Sequence, residues 1–199
     1  GQSGEPADGR FLPGESEGAL LLSMSRGGDE NYQVYLLGQH EGRQLQRLTD
    51  GRSRNLLGPV RADGLFAIVA STRRNGRDTD LYVADPNRPG EMTMLLKTSG
   101  EYWRAADWSR DGSRLLINHY VSINESYPAV LDVATGKKTQ LPIPGDKPAS
   151  HGAMVFAPDG LSAYVATDTR GEFRQLARLD LRTMKYQFLT SRLPWDVSE

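Results

Sequence analysis

The three histidines are the first candidates for chemistry, because a nucleophilic serine needs a histidine base and a carboxylate that orients it. His40 lies in the segment Gly-Gln-His-Glu-Gly, which is typical of an exposed hairpin tip, and His119 ends a strand-like run, where a packing role is expected. His151 precedes a glycine, and we expect it to make a polar capping bond or a hydrogen bond between neighbouring sheets. Ser16 lies in a Gly-x-Ser-x-Gly match, Gly14–Gly18, but a strand-like run follows it, so no serine has the strand–turn–helix context of a nucleophile elbow. The sequence therefore predicts no catalytic residue in this chain.

Two aspartates with the spacing of a calcium loop, Asp78 and Asp80, are the next candidates. A calcium loop supplies oxygen ligands at alternate positions, a glycine at the sixth position and a glutamate at the end. Here the strand-like run Leu81–Val83 follows at once, so a turn is favoured over a metal site. No pair of histidines has zinc spacing, and Gly27-Gly28 leads into acidic residues that would repel a phosphate. We therefore expect neither a metal ion nor another cofactor.

The densest basic stretch contains Arg73, Arg74 and Arg77. Because Asp78 and Asp80 follow directly, local charge balance is the favoured interpretation of this stretch. Binding of the carboxylate at the end of a peptide is the alternative, since a guanidinium matches the geometry of a carboxylate. Under that alternative Arg73 and Arg74 would face a substrate.

The composition of the 199 residues is that of a folded globular protein, with 38% hydrophobic and 25% charged residues. The 24 basic and 25 acidic side chains are not segregated, so the sequence predicts no nucleic-acid partner. The longest apolar run, Leu65–Ala70, is far shorter than a bilayer-spanning helix, so no membrane partner is expected. The absence of cysteine excludes disulfides and a thiol nucleophile. The 21 glycines and 11 prolines favour a fold rich in turns.

A period of 48 residues organises the chain. Asp-Gly occurs at Asp63-Gly64, Asp111-Gly112 and Asp159-Gly160, and a degenerate copy, Glu17-Gly18, precedes them. After each copy comes an apolar strand-like run, then a polar segment, then a second alternating run that closes on a glycine or an aspartate. The closing residues are Gly38, Asp85, Asp132 and Asp180. The recurrence of several landmarks at one period indicates a repeat architecture.

Each repeat predicts four short antiparallel strands, because its apolar runs are short, include β-branched and aromatic residues, and are bounded by Gly, Asn, Asp and Pro. Asp-Gly suits the turn between the first two strands, because glycine accepts a positive φ and aspartate tolerates it. No long stretch has the spacing of an amphipathic helix. A tandem four-stranded unit of this length is typical of a β-propeller blade. The expected fold class is therefore all-β, with four blades of about 48 residues.

The period also predicts where the blades begin and end. We expect blades at residues 10–52, 53–100, 101–147 and 148–194, with residues 195–199 at the start of a further blade. An unclosed stack of blades would expose long edge strands, which natural proteins avoid. We therefore expect the chain to be part of a larger ring of roughly six to eight blades.

Aromatic residues occupy two kinds of position in the predicted blades. Trp108 and Phe156 stand in the same place before the Asp-Gly turn, which indicates packing between blades. Tyr102, Trp103 and Trp195 stand at blade starts, where loops face one mouth of the central channel. We predict that these three residues face a substrate, together with the two adjacent arginines named above.

Several segments resemble known propeller families. Trp108–Leu116 and Leu131–Lys137 resemble the TolB-like or WD-like repeats of bacterial propellers. A narrower similarity, in the order of the blade-specific loops, is to the N-terminal propeller of the prolyl oligopeptidase family of serine peptidases. The segments that carry it are Ser71–Val83, Ile123–Ser126, Gly171–Asp180 and Trp195–Val197.

The narrower resemblance implies a function. It implies a propeller of about seven or eight blades over a C-terminal α/β-hydrolase domain of the same protein, which the propeller docks and to which it admits short peptide substrates. No serine in this chain has the strand–turn–helix context of that domain's nucleophile, so the chain is expected to be inactive alone. A stand-alone TolB-like propeller that holds protein partners is the alternative, and a structural repeat fragment is a third hypothesis. Such peptidases are often exported and the chain begins without Met, so a periplasmic or secreted location is favoured over a cytoplasmic one.

Overall fold

The structure of the chain is a computed structural model that describes residues 5–13, 18–25, 29–38, 45–145, 147–191 and 195–197. The chain divides into two units, which we call unit 1 (Gly1–Gly100) and unit 2 (Glu101–Glu199). Three of the features discussed above, His40, Glu17 and Gly27-Gly28, lie outside the described residues.

Unit 1 contains two four-stranded antiparallel sheets. The first sheet consists of β1 (Glu5–Phe11), β2 (Leu20–Ser25), β3 (Gln33–Leu37) and β4 (Leu45–Arg47). The second sheet consists of β5 (Asn55–Val60), β6 (Ala67–Ser71), β7 (Asp80–Ala84) and β8 (Met92–Leu96). Within each sheet every strand pairs with the next strand along the chain.

Unit 2 has the same construction. The third sheet consists of β9 (Tyr102–Trp108), β10 (Arg114–Ser122), β11 (Glu125–Asp132) and β12 (Lys138–Gln140). The fourth sheet consists of β13 (His151–Phe156), β14 (Ser162–Thr167), β15 (Gln175–Asp180) and β16 (Lys185–Phe188).

The all-β prediction of four four-stranded antiparallel sheets is confirmed. Strand β1 begins at Glu5, before the predicted start of the first blade at residue 10. The predicted limits of the individual blades otherwise stay predictions. Within the described ranges, no helix has the length and apolar character that crossing a bilayer requires.

The Asp-Gly turn has the same hydrogen bonds at Asp63-Gly64, Asp111-Gly112 and Asp159-Gly160. In each copy the glycine φ lies between 65° and 72°, and its N–H donates to the carbonyl three residues earlier at 2.8 Å. The aspartate carboxylate accepts the N–H two residues later, at 2.8 to 3.1 Å. None of the three aspartates has the positive φ that aspartate is expected to tolerate. Met184 is the only described non-glycine residue with a positive φ. Glycine provides the left-handed step, and aspartate fixes the turn as an acceptor.

The core of each unit lies between its two sheets. In unit 1 the cluster includes Leu21, Val34 and Val69, and β5 packs on β1, β2 and β3. In unit 2 β13 packs on β9, β10 and β11 in the same way. Phe156 is 9% exposed and belongs to the core between the third and fourth sheets, so its predicted position is confirmed. Trp108 is also buried.

Candidate binding surface at the loop ends of the sheets

One end of every sheet holds the start of the first strand, the end of the second strand and the start of the third. We call it the loop end, and the Asp-Gly turns lie at the opposite end. The residues predicted to face a substrate all belong to loop ends. Arg73 and Arg74 belong to unit 1, whereas Tyr102, Trp103 and Trp195 belong to unit 2.

Arg74 lies in the loop between β6 and β7, where two carboxylates hold its guanidinium. Its Nε donates to Asp80 at 2.6 Å, and its Nη2 donates to Asp78 at 3.1 Å and to the carbonyl of Thr98 at 3.0 Å. Asp80 has no exposed surface and also accepts the N–H of Thr98 at 2.8 Å. The predicted local charge balance is confirmed, while a substrate-facing role for Arg74 stays a prediction.

These contacts keep both aspartates ionised. Burial raises the pKa of Asp80, but the hydrogen bonds from Arg74 and Thr98 outweigh it, so that this pKa lies below its ordinary value. A hydrogen bond from Asn75 lowers the pKa of Asp78, and Arg74 lowers it further. The guanidinium takes the place between the carboxylates that a calcium ion would need. Elsewhere in the described part of the chain, no three His, Asp or Glu side chains are grouped as metal ligands.

Arg73 is exposed beside this network. Its guanidinium lies over the ring of Tyr82, 5.7 Å from the ring centre, and its N–H donates to Ser71 Oγ at 3.1 Å. Arg74 and Arg77 each form an ion pair with Asp78, but among the described residues no carboxylate pairs with Arg73. Arg73 is therefore the arginine of this stretch whose guanidinium is open to a ligand.

Tyr102, Arg104 and Tyr120 share one face of the third sheet at its loop end. The register of β9 and β10 places Tyr102 opposite Tyr120 and Arg104 opposite Asn118. The two tyrosine rings meet edge to face with their centres 6.4 Å apart. The Arg104 guanidinium lies 5.0 Å from the ring centre of Tyr102 and 5.2 Å from that of Tyr120. Both distances are within the range of cation–π attraction, so the two rings hold the guanidinium in place.

Trp103 points to the other face of the same sheet, because successive side chains of a strand alternate. Its ring stacks on His119 with the centres 5.1 Å apart, and Tyr127 continues this row with its ring centre 6.0 Å from that of His119. Lys138 Nζ lies 4.2 Å from the ring centre of Trp103. Trp103 is only 5% exposed. The predicted packing role of His119 is confirmed, and a substrate-facing role for Trp103 stays a prediction.

His151 joins the two sheets of unit 2. It begins β13, and its ring Nδ1 lies 3.2 Å from Oγ of Ser126 in β11, which also accepts the N–H of His151 at 2.8 Å. Asn118 of β10 donates to the carbonyl of His151 at 3.0 Å. The ring is buried, and burial lowers the pKa of His151 to about 4, so the ring is neutral near pH 7. The predicted hydrogen bond between sheets is confirmed.

Trp195 lies after β16 and is 58% exposed. Its segment is tied to Arg174, whose N–H donates to Asp196 at 2.7 Å and whose carbonyl accepts the N–H of Val197 at 2.9 Å. Arg174 in turn donates from Nε to Ser150 Oγ at 3.1 Å. Because Arg174 immediately precedes β15, these bonds place Trp195 at the loop end of the fourth sheet.

The sequence prediction misses Arg104 and Tyr120, although a signal for both is present. The repeat positions that correspond to Arg104 hold Leu56 and Gly152, and those that correspond to Tyr120 hold a threonine and an aspartate. Residues that a repeat needs for its fold tend to recur, so departures from the repeat indicate another role. Their meeting also depends on the register of β9 and β10, which the sequence does not display.

Consecutive antiparallel four-stranded sheets, each built in chain order and packed face to face with a neighbour, are blades of a β-propeller. Comparison with solved structures gives the same class. The structure of TolB from Acinetobacter baumannii matches 92% of this chain and 44% of its own chain, with a TM-score of 0.69 and 18% sequence identity.

Two peptidases match as well. A puromycin hydrolase matches 96% of this chain and 30% of its own, with a TM-score of 0.70 and 14% identity. A puromycin-hydrolyzing peptidase of Mycobacterium tuberculosis matches 92% of this chain and 29% of its own, with a TM-score of 0.67 and 15% identity. The chain thus spans less than half the length of each of these three proteins. No protein-family profile and no curated protein matches the sequence.

Proposed function

We propose that this chain is the propeller part of a serine peptidase of the prolyl oligopeptidase type, which admits short peptides to a separate α/β-hydrolase domain and docks that domain. The observation that carries the proposal is the match of 96% of this chain to a puromycin hydrolase of which the chain spans only 30%. The order of the loop segments Ser71–Val83, Gly171–Asp180 and Trp195–Val197, which resembles that of peptidase propellers, also supports it. The nucleophile belongs to the separate domain, since the one Gly-x-Ser-x-Gly match in the sequence, at Ser16, precedes a strand-like run and not the helix that a nucleophile elbow needs.

In this proposal the loop ends provide the contacts to a peptide. Tyr102 and Trp195 offer aromatic surface, which buries the apolar side chains of a peptide at low entropic cost. Arg73 belongs to unit 1, where its guanidinium is a separate candidate for the carboxylate at a peptide end. Arg74 positions the loop that carries Arg73, because its guanidinium is bound to buried carboxylates. Trp103 fixes the strand of Tyr102 from the opposite face.

The fluorescence of Trp195 tests peptide binding directly. Trp195 is 58% exposed, whereas Trp103 and Trp108 are 5% exposed each, so a peptide at the loop end should change the emission of one tryptophan. Titration with short proline-containing peptides should give a saturable change that Trp195→Phe abolishes, while calorimetry still detects binding to that variant. If calorimetry detects no binding of any short peptide to the folded chain, the proposal is wrong.

A stand-alone scaffold of the TolB type is the second candidate, and the match to 92% of the chain by TolB favours it. Such a scaffold would hold protein partners at its rim or channel and would perform no chemistry. A fluorophosphonate probe separates the candidates, because a peptidase that contains this propeller reacts with the probe and a scaffold does not. Labelling of this chain alone would contradict both, because neither places a reactive serine here.

A further inference from the structure

Arg104 is an exposed arginine that aromatic rings hold in place. Several exposed arginines of the described ranges have an acidic partner, among them Arg54, Arg88 and Arg178. In the ranges that the structure describes, no carboxylate lies within ion-pair distance of Arg104. Among the described residues, the faces of Tyr102 and Tyr120 are the groups that compensate its charge, and they leave the hydrogen-bonding edge of the guanidinium available.

The fold does not require this arrangement. The first strands of the second and fourth sheets have Leu56 and Gly152 at the repeat position of Arg104, and those strands pair and pack in the same way within their own units. At Gly152 a Cβ would lie 3.7 Å from the side chain of Arg174, so the fourth sheet brings an arginine to the corresponding place from a loop. The third and fourth sheets thus both have an arginine side chain at this position, although in the fourth sheet it comes from a loop and not from the first strand.

The ligand that such a site selects follows from its chemistry. A guanidinium whose planar fork is held by two rings binds a carboxylate through two parallel hydrogen bonds and loses little rotamer freedom. The hairpin tip that follows Tyr120 adds apolar surface, since Val121 is 48% exposed and Ile123 is 71% exposed. The site therefore fits a ligand with a carboxylate next to apolar groups.

We propose that Arg104, held between Tyr102 and Tyr120, binds a carboxylate of a peptide ligand, and that Val121 and Ile123 contact the apolar groups beside it. The carboxylate is either the free C-terminus of the peptide or an acidic side chain. That the ligand is a peptide rests on the proposed function, whereas the carboxylate site rests on the geometry of unit 2 alone.

Isothermal titration calorimetry of the chain with four probes tests the site. The probes are acetyl-Ala-Pro-Phe as the free acid, the same peptide as the amide, acetyl-Glu-Pro-Phe amide, and phenylacetate. The free acid should bind about 10- to 100-fold more tightly than its amide, because a hydrogen-bonded charge pair is lost in the amide. Tight binding of the glutamate amide would assign the site to acidic side chains, and weak binding would assign it to the C-terminus.

The variants are chosen to separate binding from stability. Arg104→Ala should weaken binding of the free acid, and in the Arg73→Ala background, which lacks the other arginine proposed for a peptide carboxylate, it should remove the preference for the acid. Arg104→Lys should keep only part of the preference, because an ammonium lacks the planar fork. Arg110→Ala is the matched control, since Arg110 is an exposed arginine in the Asp-Gly turn at the opposite end of β9, and it should bind as the wild type does. Tyr120→Phe should keep the preference, whereas Tyr120→Leu should weaken it several-fold.

Each further outcome decides a separate question. If Arg104→Ala binds the free acid as tightly as the wild type, the carboxylate site is wrong and the proposed function stands. If the peptides fail to bind but phenylacetate binds through Arg104, the carboxylate site stands and the proposed function fails. If neither the peptides nor phenylacetate binds, the carboxylate site is wrong as well. Should Arg104→Ala not fold, Arg104→Lys and Tyr120→Leu carry the same test.

Discussion

We expect acidification to destabilise the fold through His151. Its ring is 6% exposed, and burial lowers its pKa to about 4 from an ordinary value of 6.5. Because the folded-state pKa lies below the unfolded one, the contribution of this ring to stability is present above pH 6.5 and is lost as the pH falls towards 4. At 1.36 kcal/mol per unit, the loss is about 2 kcal/mol between pH 7 and pH 5 and about 3 kcal/mol by pH 4.

Urea unfolding followed by circular dichroism between pH 4 and pH 7 measures this loss. His151→Asn is the matched variant, because Asn55 occupies the equivalent repeat position in unit 1, where its Nδ2 donates to the carbonyls of Tyr32 and Ser53. The wild type should lose about 3 kcal/mol more than the variant over this range. Burial raises the pKa of Asp107, so this carboxyl adds stability as the pH falls, opposite to His151. The variant has the same carboxyl, so its contribution cancels in the comparison.

Parallel pH profiles of the two proteins would refute this reasoning. They would mean that the ring accepts a proton in the folded state as readily as in the unfolded chain, which a buried ring between two packed sheets cannot do. The ring proton resonances of His151 provide an independent measurement. A midpoint near 6.5 in the folded protein would refute the reasoning in the same way.

Two further comparisons test the turns and the buried charges. Gly64 and Gly76 have nearly the same φ, 72° and 73°, but a Cβ at Gly64 would stand 2.1 Å from the carbonyl oxygen of Pro13, whereas the space beside Gly76 is open. Gly76→Ala should cost about 1 to 2 kcal/mol of unfolding free energy and Gly64→Ala at least about 2 kcal/mol more, and equal losses would contradict the contact. Asp80→Ala should cost about 3 kcal/mol, because its buried partners lose their acceptor. Glu91→Ala, which removes an exposed ion pair, should change the unfolding free energy by less than about 0.5 kcal/mol, and similar values for both variants would show that the buried network adds no stability.

The fold could be predicted because its signals are local. Asp63-Gly64 and its two later copies lie within single turns, and each turn needs only a glycine with positive φ and an aspartate as acceptor. The position of Phe156 between sheets follows from the same period, because a residue at a fixed distance from the turn stays on a fixed face of its strand. Local patterns of this kind need no knowledge of which strands pack together.

The binding surface could be predicted only in part, because it depends on register and on neighbouring sheets. Tyr102 and Trp103 are adjacent in sequence, yet one shares its face with Arg104 and the other is buried in a row with His119. Tyr120 meets Tyr102 because β9 and β10 pair across a register shift, which no local pattern reveals. The sequence therefore places these residues at the loop end of the sheet but does not show which side chains meet there.

The loop after β15 shows whether the shape of a repeat turn depends more on its aspartate or on its glycine. In unit 2 the N–H of Gly136 donates to the carbonyl of Asp132 at 2.8 Å, and the N–H of Met184 donates to the carbonyl of Asp180 at the same distance. Met184 has a φ of 58°, although a non-glycine residue there is disfavoured by about 1 to 2 kcal/mol. The Asp180 carboxylate accepts the backbone N–H groups of the two residues that follow Leu181, and these bonds lower its pKa. The turn therefore keeps its shape without glycine because the aspartate fixes it. This accounts for a turn in which the aspartate is retained at Asp85, Asp132 and Asp180, whereas the glycine four residues after Asp132 is replaced by Met184 after Asp180.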